Sequence, residues 1–265
     1  MFIFERFNSP LELVKALEKR ENNGYVGHAS DTGTEEFTGT ATWKIAEDLL
    51  IHGDSNITVE LTKAMSKVKT TVAINKVKIT PDYYGASPIV ARALTGHPKA
   101  MRRRTANPVK QAATAIYYDN GANCDIKASD LLRAGKAILE LVYRLEAGGT
   151  RVELNICNFT ANCRNTTQDK ACCCTLVKRA SEPLDIRKMA FPIAHPSYFR
   201  RIGFRWLERC DKIKSSVSCY GGHLTSSEFK SLLEAQRINN AVIISFENVK
   251  NFGYNAEAIK NKYFS

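Results

Sequence analysis

The stretch from Ala113 to Phe159 decides the fold, and it begins with Ala113-Thr-Ala-Ile-Tyr-Tyr118. This short apolar and aromatic run is typical of a strand that is covered on both faces. Asp119-Asn-Gly-Ala-Asn123 follows and is rich in turn residues. The segment from Ser129 to Arg144 then carries leucine, isoleucine and valine at spacings of three and four, as an amphipathic helix requires.

A second strand completes this unit. Gly148-Gly149 ends the helix, and Arg151-Val-Glu-Leu-Asn-Ile-Cys-Asn-Phe159 alternates between apolar and polar residues. A strand, a helix and a strand in one compact run predict a right-handed βαβ unit with parallel strands. Ala171 to Lys178 predicts a third strand, and Thr160 to Lys170 before it has no helical pattern. The third strand is therefore expected to be an antiparallel edge strand beside the second.

The whole chain is predicted to be an α/β protein with a central, mainly parallel sheet, one antiparallel edge strand and flanking helices. Residues 113–265 form the α/β domain, which ends with a buried strand at Ala241 to Phe246 and a short helix. Residues 1–112 form a mostly helical N-terminal arm. Its helices are expected to begin near Ser9-Pro10, Thr42, Ile57 and Ser87-Pro88, with a short strand at Lys76 to Thr80.

Composition limits the class of protein. The 265 residues are 44% hydrophobic and 25% charged, which suits a packed core and argues against global disorder. No run approaches the roughly 20 apolar residues that span a bilayer, and the N-terminus does not resemble a secretory signal. The expected location is the cytoplasm, without a membrane partner. The eight cysteines are expected to be buried, reduced thiols, because they lack the paired spacing of structural zinc sites.

The positive charge of the chain is the main indication of its binding partners. The formal net charge is +11, which permits a nucleic acid or another acidic partner. Arg102, Arg103 and Arg104 are the densest positive point. They are interpreted either as a solvated or intersubunit ion-pairing face, or as a phosphate contact. No aromatic residue interrupts this run, so a groove for single-stranded nucleic acid is not indicated there.

A second basic segment lies at His195-Pro-Ser-Tyr-Phe-Arg200-Arg201, where arginines adjoin aromatic residues. Arg200 and Arg201 are a candidate contact with phosphate or with a partner. The alternative is a set of core aromatics flanked by solvated arginines.

The order of elements after Ala113 resembles the von Willebrand factor A-type fold. In that family, the first strand is followed by an Asp-x-Ser-x-Ser loop that binds a divalent cation. Asp119 matches the aspartate, whereas Gly121 and Asn123 stand at the two serine positions. Because Gly121 has no side-chain oxygen, the resemblance implies a degenerate site with no bound cofactor. Mg²⁺ or another divalent cation held by Asp119 and Asn123 is the alternative.

The whole chain also resembles an uncharacterised protein family of tailed bacteriophages. The similarity rests on Trp43-Lys-Ile-Ala-Glu-Asp-Leu49, on Gly96-His-Pro-Lys-Ala-Met101 and on Leu145-Glu-Ala-Gly-Gly149. It implies a phage protein that acts in the cytoplasm of the host cell, where other phage or host proteins could be partners.

Three functions follow from these features. The first is a non-enzymatic assembly or interaction protein that self-associates into a homo-oligomer through the A-type loops and the N-terminal arm. If the arm reaches a neighbouring copy, a head-to-tail ring is one form of this oligomer. The second is a nucleic-acid-binding accessory protein that uses its basic surface. The third is a divalent-metal-dependent enzyme at Asp119. No histidine lies in a hydrolase, kinase or zinc-protease motif, so the chain is predicted not to be an enzyme.

Overall fold

A computed structural model of the chain describes residues 2–21, 29–68, 78–105, 112–122, 125–161, 170–211, 225–239 and 241–264. Within these residues the strands β1 to β8 span Phe2–Phe7, Lys78–Asp82, Ser87–Pro88, Met101–Thr105, Ala113–Asp119, Arg151–Ala161, Lys170–Lys178 and Ala241–Ser245. The described α-helices α1 to α12 span Pro10–Lys19, Ala29–Thr32, Glu35–Thr38, Trp43–His52, Ser55–Met65, Val90–Leu94, Ala128–Ala147, Ile186–Ala194, Phe204–Arg209, Ser226–Ala235, Phe246–Asn251 and Ala256–Tyr263. A π-helix, Tyr198–Gly203, joins α8 to α9.

Five of the described strands form one mixed sheet in the order β1-β7-β6-β5-β8. β5 pairs in parallel with both β6 and β8, and β7 pairs antiparallel with β6. The predicted α/β class is therefore confirmed, with Tyr117 and Tyr118 on an interior strand. One detail of the prediction was wrong: β7 is not an edge strand, because β1 pairs with it in parallel along its other side.

The βαβ unit has the predicted elements. α7 lies against the sheet and buries its apolar stripe, which includes Leu131, Ile138 and Leu141. It extends beyond the predicted Ser129 to Arg144 by a residue at its start and three at its end. Gly135 allows α7 to approach α8 closely, since a Cβ atom there would lie 2.5 Å from the Cβ of Ala194. The long central helix is thus fixed against a second helix as well as against the sheet.

The helices before residue 66 cover the same side of the sheet. α1 begins as predicted, with Pro10 in its first turn and Ser9 as N-cap, and it buries Leu13, Val14 and Leu17. α4 and α5 both contact α8, and α5 also contacts α7. The N-terminal helical region is therefore present, although β1 belongs to the central sheet. The division of the chain at residue 112 stays a prediction.

Several local assignments are corrected. Ser87–Pro88 is a strand, and the helix after it begins at Val90. The arginine run lies on a strand, Met101–Thr105, that the local pattern did not predict. α11 was also missed, although Ser245 starts it with a capping box to Asn248. The helix predicted from Ile57 to Val68 spans Ser55–Met65. The strand predicted from residue 76 begins at residue 78, and residues 76 and 77 lie outside the described residues.

No helix in the described ranges combines the length and the apolar character that crossing a membrane requires.

Candidate interaction surface

Residues 78–105 fold into a small three-stranded sheet that is separate from the central one, and we call them the 78–105 module. β4 is its middle strand, with β2 and β3 antiparallel on its two sides. The turn between β2 and β3 passes close to β4 at Gly85. A Cβ atom on Gly85 would lie 2.2 Å from the carbonyl oxygen of Arg102, so only glycine fits there. Gly85 thus allows the turn between β2 and β3 to pack directly against the backbone of β4.

The module is unusual in its exposure. None of the side chains from Ile79 to Arg104 is buried. Nine large apolar side chains are exposed among the described residues, and five of them belong to the module: Ile79, Tyr83, Tyr84, Val90 and Leu94. Leu94 is the most exposed of the nine, at 83%. A surface of this kind marks a contact site more often than a solvent-facing one.

Arg103 is held inside the module by a local network. Its Nη1 atom donates to Asp82 Oδ2 and to Tyr84 Oη, each at 2.9 Å. Its guanidinium carbon also lies 4.8 Å from the centre of the Tyr84 ring. The hydrogen bond from Arg103, with a second from the Tyr83 backbone, holds the pKa of the Asp82 carboxyl below its usual value. Arg103 is therefore compensated and supports the structure of the module.

Arg102 and Arg104 differ from Arg103. Side chains alternate along a strand, so these two lie on the face of β4 opposite to Arg103. Both are exposed, and among the described residues neither makes an ion pair. They are two positions apart along the strand, a distance of about 6.6 Å. They are two adjacent positive charges on one face of a thin sheet.

The aromatic residues of the module lie beside its cations. Tyr83 and Tyr84 occupy the bend that follows β2, and each is 63% exposed. The Nζ atom of Lys99 lies 5.3 Å from the centre of the Tyr83 ring. The residues in the two cation–aromatic contacts are 16 and 19 positions apart in sequence. The arginine run alone does not indicate them, because they depend on the antiparallel pairing of β2 with β4.

The loop after β5 is the second predicted site. Asp119 is buried at the end of the strand, and its Oδ1 atom accepts a hydrogen bond of 3.0 Å from the backbone of Gly121. Gly121 contributes no side chain, and Asn123 lies outside the described residues. Within the described residues, no group of three or more histidine, cysteine, aspartate or glutamate side chains could hold a metal ion. The carboxylate of Asp119 instead stabilises its own turn.

Two buried amides adjoin this loop. Asn120 Nδ2 donates to the carbonyl of Pro192 at 3.4 Å, while its Oδ1 atom has no hydrogen-bond partner among the described residues. Asn158, on the neighbouring strand β6, is 4% exposed, and within the same part of the chain neither atom of its amide has a partner. The carboxyl end of the parallel strands is therefore polar but enclosed. Buried water is the usual partner of such groups.

Arg200 and Arg201 were a candidate contact with phosphate or a partner, and the structure corrects their position. Arg201 is fully buried. Its guanidinium group donates to Thr40 Oγ1 at 2.8 Å and to the carbonyls of Ser30, Gly33 and Thr40 at 2.7, 3.0 and 2.6 Å. Burial lowers the pKa of this guanidinium from its ordinary value.

Arg200 is also interior. It donates to the carbonyls of Phe37 and Ile126 at 2.7 and 2.6 Å, and its guanidinium carbon lies 4.4 Å from the centre of the Phe37 ring. Both arginines bind backbone carbonyls of the segment at residues 29–42, which contains α2 and α3. They hold that segment on the core and do not form an exposed surface.

The described cysteines are buried, as predicted: Cys157, Cys172, Cys173, Cys174 and Cys210. Burial raises the pKa of the Cys172 thiol to about 12. Such thiols stay protonated and unreactive at neutral pH, because the thiolate is the nucleophile and the metal ligand. The four cysteines of β6 and β7 pack as small apolar side chains on the faces of the sheet.

A cleft of about 480 Å³ lies at the opposite edge of the sheet from Asp119, near the start of α1 and α8. Two of its cationic side chains are already engaged. Arg179 pairs with Glu182 at 3.0 Å, and Arg187 donates to the carbonyl of His52 at 3.0 Å. The cleft offers apolar walls and few free polar groups, so it is a weaker candidate than the 78–105 module.

Comparison with known families gives one match. The model of DUF7192, described as a domain of unknown function, matches residues 3–263, so the chain belongs to that family. No curated protein and no solved structure matches the chain.

Proposed function

We propose that this member of the DUF7192 family is a non-enzymatic interaction protein that binds its partners through the 78–105 module and assembles into a homo-oligomer. The proposal is carried by the module, in which no side chain from Ile79 to Arg104 is buried. Segments of this size rarely hold their structure without an additional stabilising contact. A partner that covers the exposed apolar side chains would supply that contact.

The short helix α6 supports self-association. Val90 and Leu94 are four residues apart, so they lie on the same face of the helix. They are 66% and 83% exposed, respectively. Burying side chains of this size contributes about 1.5–3 kcal/mol each. The helix thus offers a compact apolar contact for a second copy of the chain.

The central sheet supports an interaction role in a second way. The order β7-β6-β5-β8, with β7 antiparallel, is compatible with the A-type fold that the sequence resembles. Domains of that type bind other proteins through loops at the carboxyl ends of their strands. With Gly121 at a ligand position, the loop after Asp119 is better suited to contacts than to metal chemistry. Together with the phage resemblance, this favours an assembly or accessory protein of a tailed bacteriophage that acts in the host cytoplasm.

Light scattering coupled to size exclusion tests the proposal. We expect the purified chain to associate with increasing concentration, and we expect the double variant Val90→Ser, Leu94→Ser to remain monomeric. A matched control, Ile45→Ser with Val59→Ser, removes two exposed apolar side chains from α4 and α5 and should associate like the parent chain. A parent chain that stays monomeric at tens of micromolar would contradict self-association.

Nucleic-acid binding is the second candidate function. It is favoured by one observation, the pairing of exposed tyrosines with cationic side chains in the 78–105 module.

A further inference from the structure

We infer that the 78–105 module binds single-stranded nucleic acid, with Arg102 and Arg104 on the phosphates and Tyr83 stacked on a base. This inference rests on the proposed function, because it takes the module to be the contact surface. It adds the chemical class of the partner and a role for each side chain.

Charge selects an anionic partner. From Ile79 to Arg104 the module carries five basic residues, Arg92, Lys99, Arg102, Arg103 and Arg104, against the single acidic residue Asp82. The proposed function places the contact with a second copy at Val90 and Leu94, and the formal net charge of +11 means that the arginines favour an anionic partner. A phosphate backbone is attracted to them and releases its counterions on binding.

The arginine pair suits a phosphate backbone in particular. Arg102 and Arg104 share one face of β4, about 6.6 Å apart along the strand. Pro81 and Ser87 flank Arg102 on the neighbouring strands, so no described acidic side chain lies beside it in the sheet. Guanidinium groups bind phosphate oxygens with two parallel hydrogen bonds. Two guanidinium groups at this spacing can bind two phosphates of one nucleic-acid strand.

The tyrosines select a single strand. Tyr83 and Tyr84 lie in the bend after β2, and both rings are 63% exposed. An unpaired base can stack on such a ring, whereas the faces of a base in a duplex are already covered. Arg102 and Arg104 lie on the opposite face of the sheet from the Arg103–Tyr84 contact. A flexible strand can pass around the end of β2 to reach both, and a stiff duplex cannot.

An acidic protein is the competing class of partner. It would supply carboxylates to the arginines but would not supply a row of planar bases to the tyrosines. Competition by polyglutamate therefore separates the two classes.

Fluorescence anisotropy with a labelled single-stranded oligonucleotide of mixed sequence tests the inference. We expect binding to the full chain, weaker binding to a duplex of the same sequence, and little competition by polyglutamate. The double variant Arg102→Ala, Arg104→Ala should bind about tenfold more weakly. It should also lower the slope of log affinity against log salt by about 1.4, the value for two phosphate contacts on a single strand.

The matched control is Lys15→Ala with Lys19→Ala, which removes two exposed charges from α1 and leaves the module unchanged. It should retain the affinity of the parent chain. Equal losses in both double variants would overturn the inference, because binding would then follow net charge alone. Preferred binding of the duplex, or full competition by polyglutamate, would overturn it as well.

A second pair of variants tests the stacking. Tyr83→Ser should weaken binding about fivefold or more, since stacking one base on an aromatic ring has an effect of this size or larger. Tyr83→Phe should keep the affinity because it keeps the ring. Loss in both variants, or in neither, would exclude the stacking role.

These results can be separated from those on self-association. If the oligonucleotide does not bind but Val90→Ser with Leu94→Ser still prevents oligomer formation, the proposed function stands and the nucleic-acid partner is wrong. If the oligonucleotide binds through Arg102 and Arg104 while the chain remains monomeric, self-association is wrong and the partner is right.

Discussion

Two basic segments of this chain differ in burial. Arg200 and Arg201 lie in the interior and donate to backbone carbonyls, whereas Arg102 and Arg104 lie on a thin external sheet and face solvent. In sequence both look like arginines next to apolar or aromatic residues. The difference comes from backbone carbonyls, those of residues 29–42 and of Ile126, which accept hydrogen bonds from the interior pair. An arginine is a binding residue only where the fold leaves its donors free.

The largest expected effect is that of Arg201→Met. The substitution removes four hydrogen bonds to Ser30, Gly33 and Thr40 and leaves buried carbonyls without a donor. We expect the free energy of unfolding to fall by about 4 kcal/mol. Chemical denaturation measures it, with Arg104→Met as the matched control on the exterior. Similar stabilities for the two variants would erase the contrast between the segments.

His195 should give the interior segment a pH dependence. Burial lowers the pKa of His195 to about 4, and its Nδ1 atom accepts a hydrogen bond of 3.0 Å from the Ser197 backbone. In the unfolded chain the pKa is about 6.5, so protons bind the unfolded state first. This contribution to stability is complete above pH 6.5 and is lost as the pH falls to 4. The loss amounts to about 3 kcal/mol.

The measurement is a denaturation series between these pH values for the parent chain and for His195→Gln, which does not titrate. The variant should lose less stability over the window. Parallel curves would show that His195 titrates normally and that its surroundings are open to water.

Two glycines sharpen the comparison at the level of the backbone. Gly135→Ala would place a Cβ atom 2.5 Å from the Cβ of Ala194 in the interior, so we expect a loss of about 1–3 kcal/mol in global stability. Gly85→Ala would place one 2.2 Å from the carbonyl oxygen of Arg102, in the 78–105 module. Gly85→Ala should disturb the module and abolish oligonucleotide binding while the melting temperature stays the same. A shared fall in melting temperature would mean that the module and the core unfold together.

The smallest effect on stability is expected on the exterior helix. Leu94→Ser should change the free energy of unfolding by less than about 0.5 kcal/mol, since Leu94 is 83% exposed. Its effect should be on association, measured by light scattering, and not on thermal melting. A large loss of stability in a dilute sample would indicate that Leu94 packs within its own chain.

The sequence was sufficient for elements whose signals are local. The alternation that begins at Arg151, the stripe of α7 and the cap at Ser9 each lie within one short window, and each of these elements is present. The positions of Arg200 and Arg201 were not predictable in this way. Both contact the segment at residues 29–42, more than 150 positions away, and no local pattern contains that contact.

The same reason explains the missed part of the surface. The arginine run contains no aromatic residue, and the tyrosines come from the far end of a paired strand. Strand β1, Phe2–Phe7, was not predicted, because its apolar residues do not alternate with polar ones and its partner β7 lies more than 160 positions away.

That pairing bears on how the chain is made. The ribosome adds 163 residues after Phe7 before it reaches Lys170, the first residue of β7. At ordinary rates of synthesis this takes about 10–30 s. During that time strand β1 is unpaired, and its apolar residues Phe2, Phe4 and Phe7 can contact other nascent chains or chaperones. Strand β1 is therefore synthesised well before the strand with which it pairs.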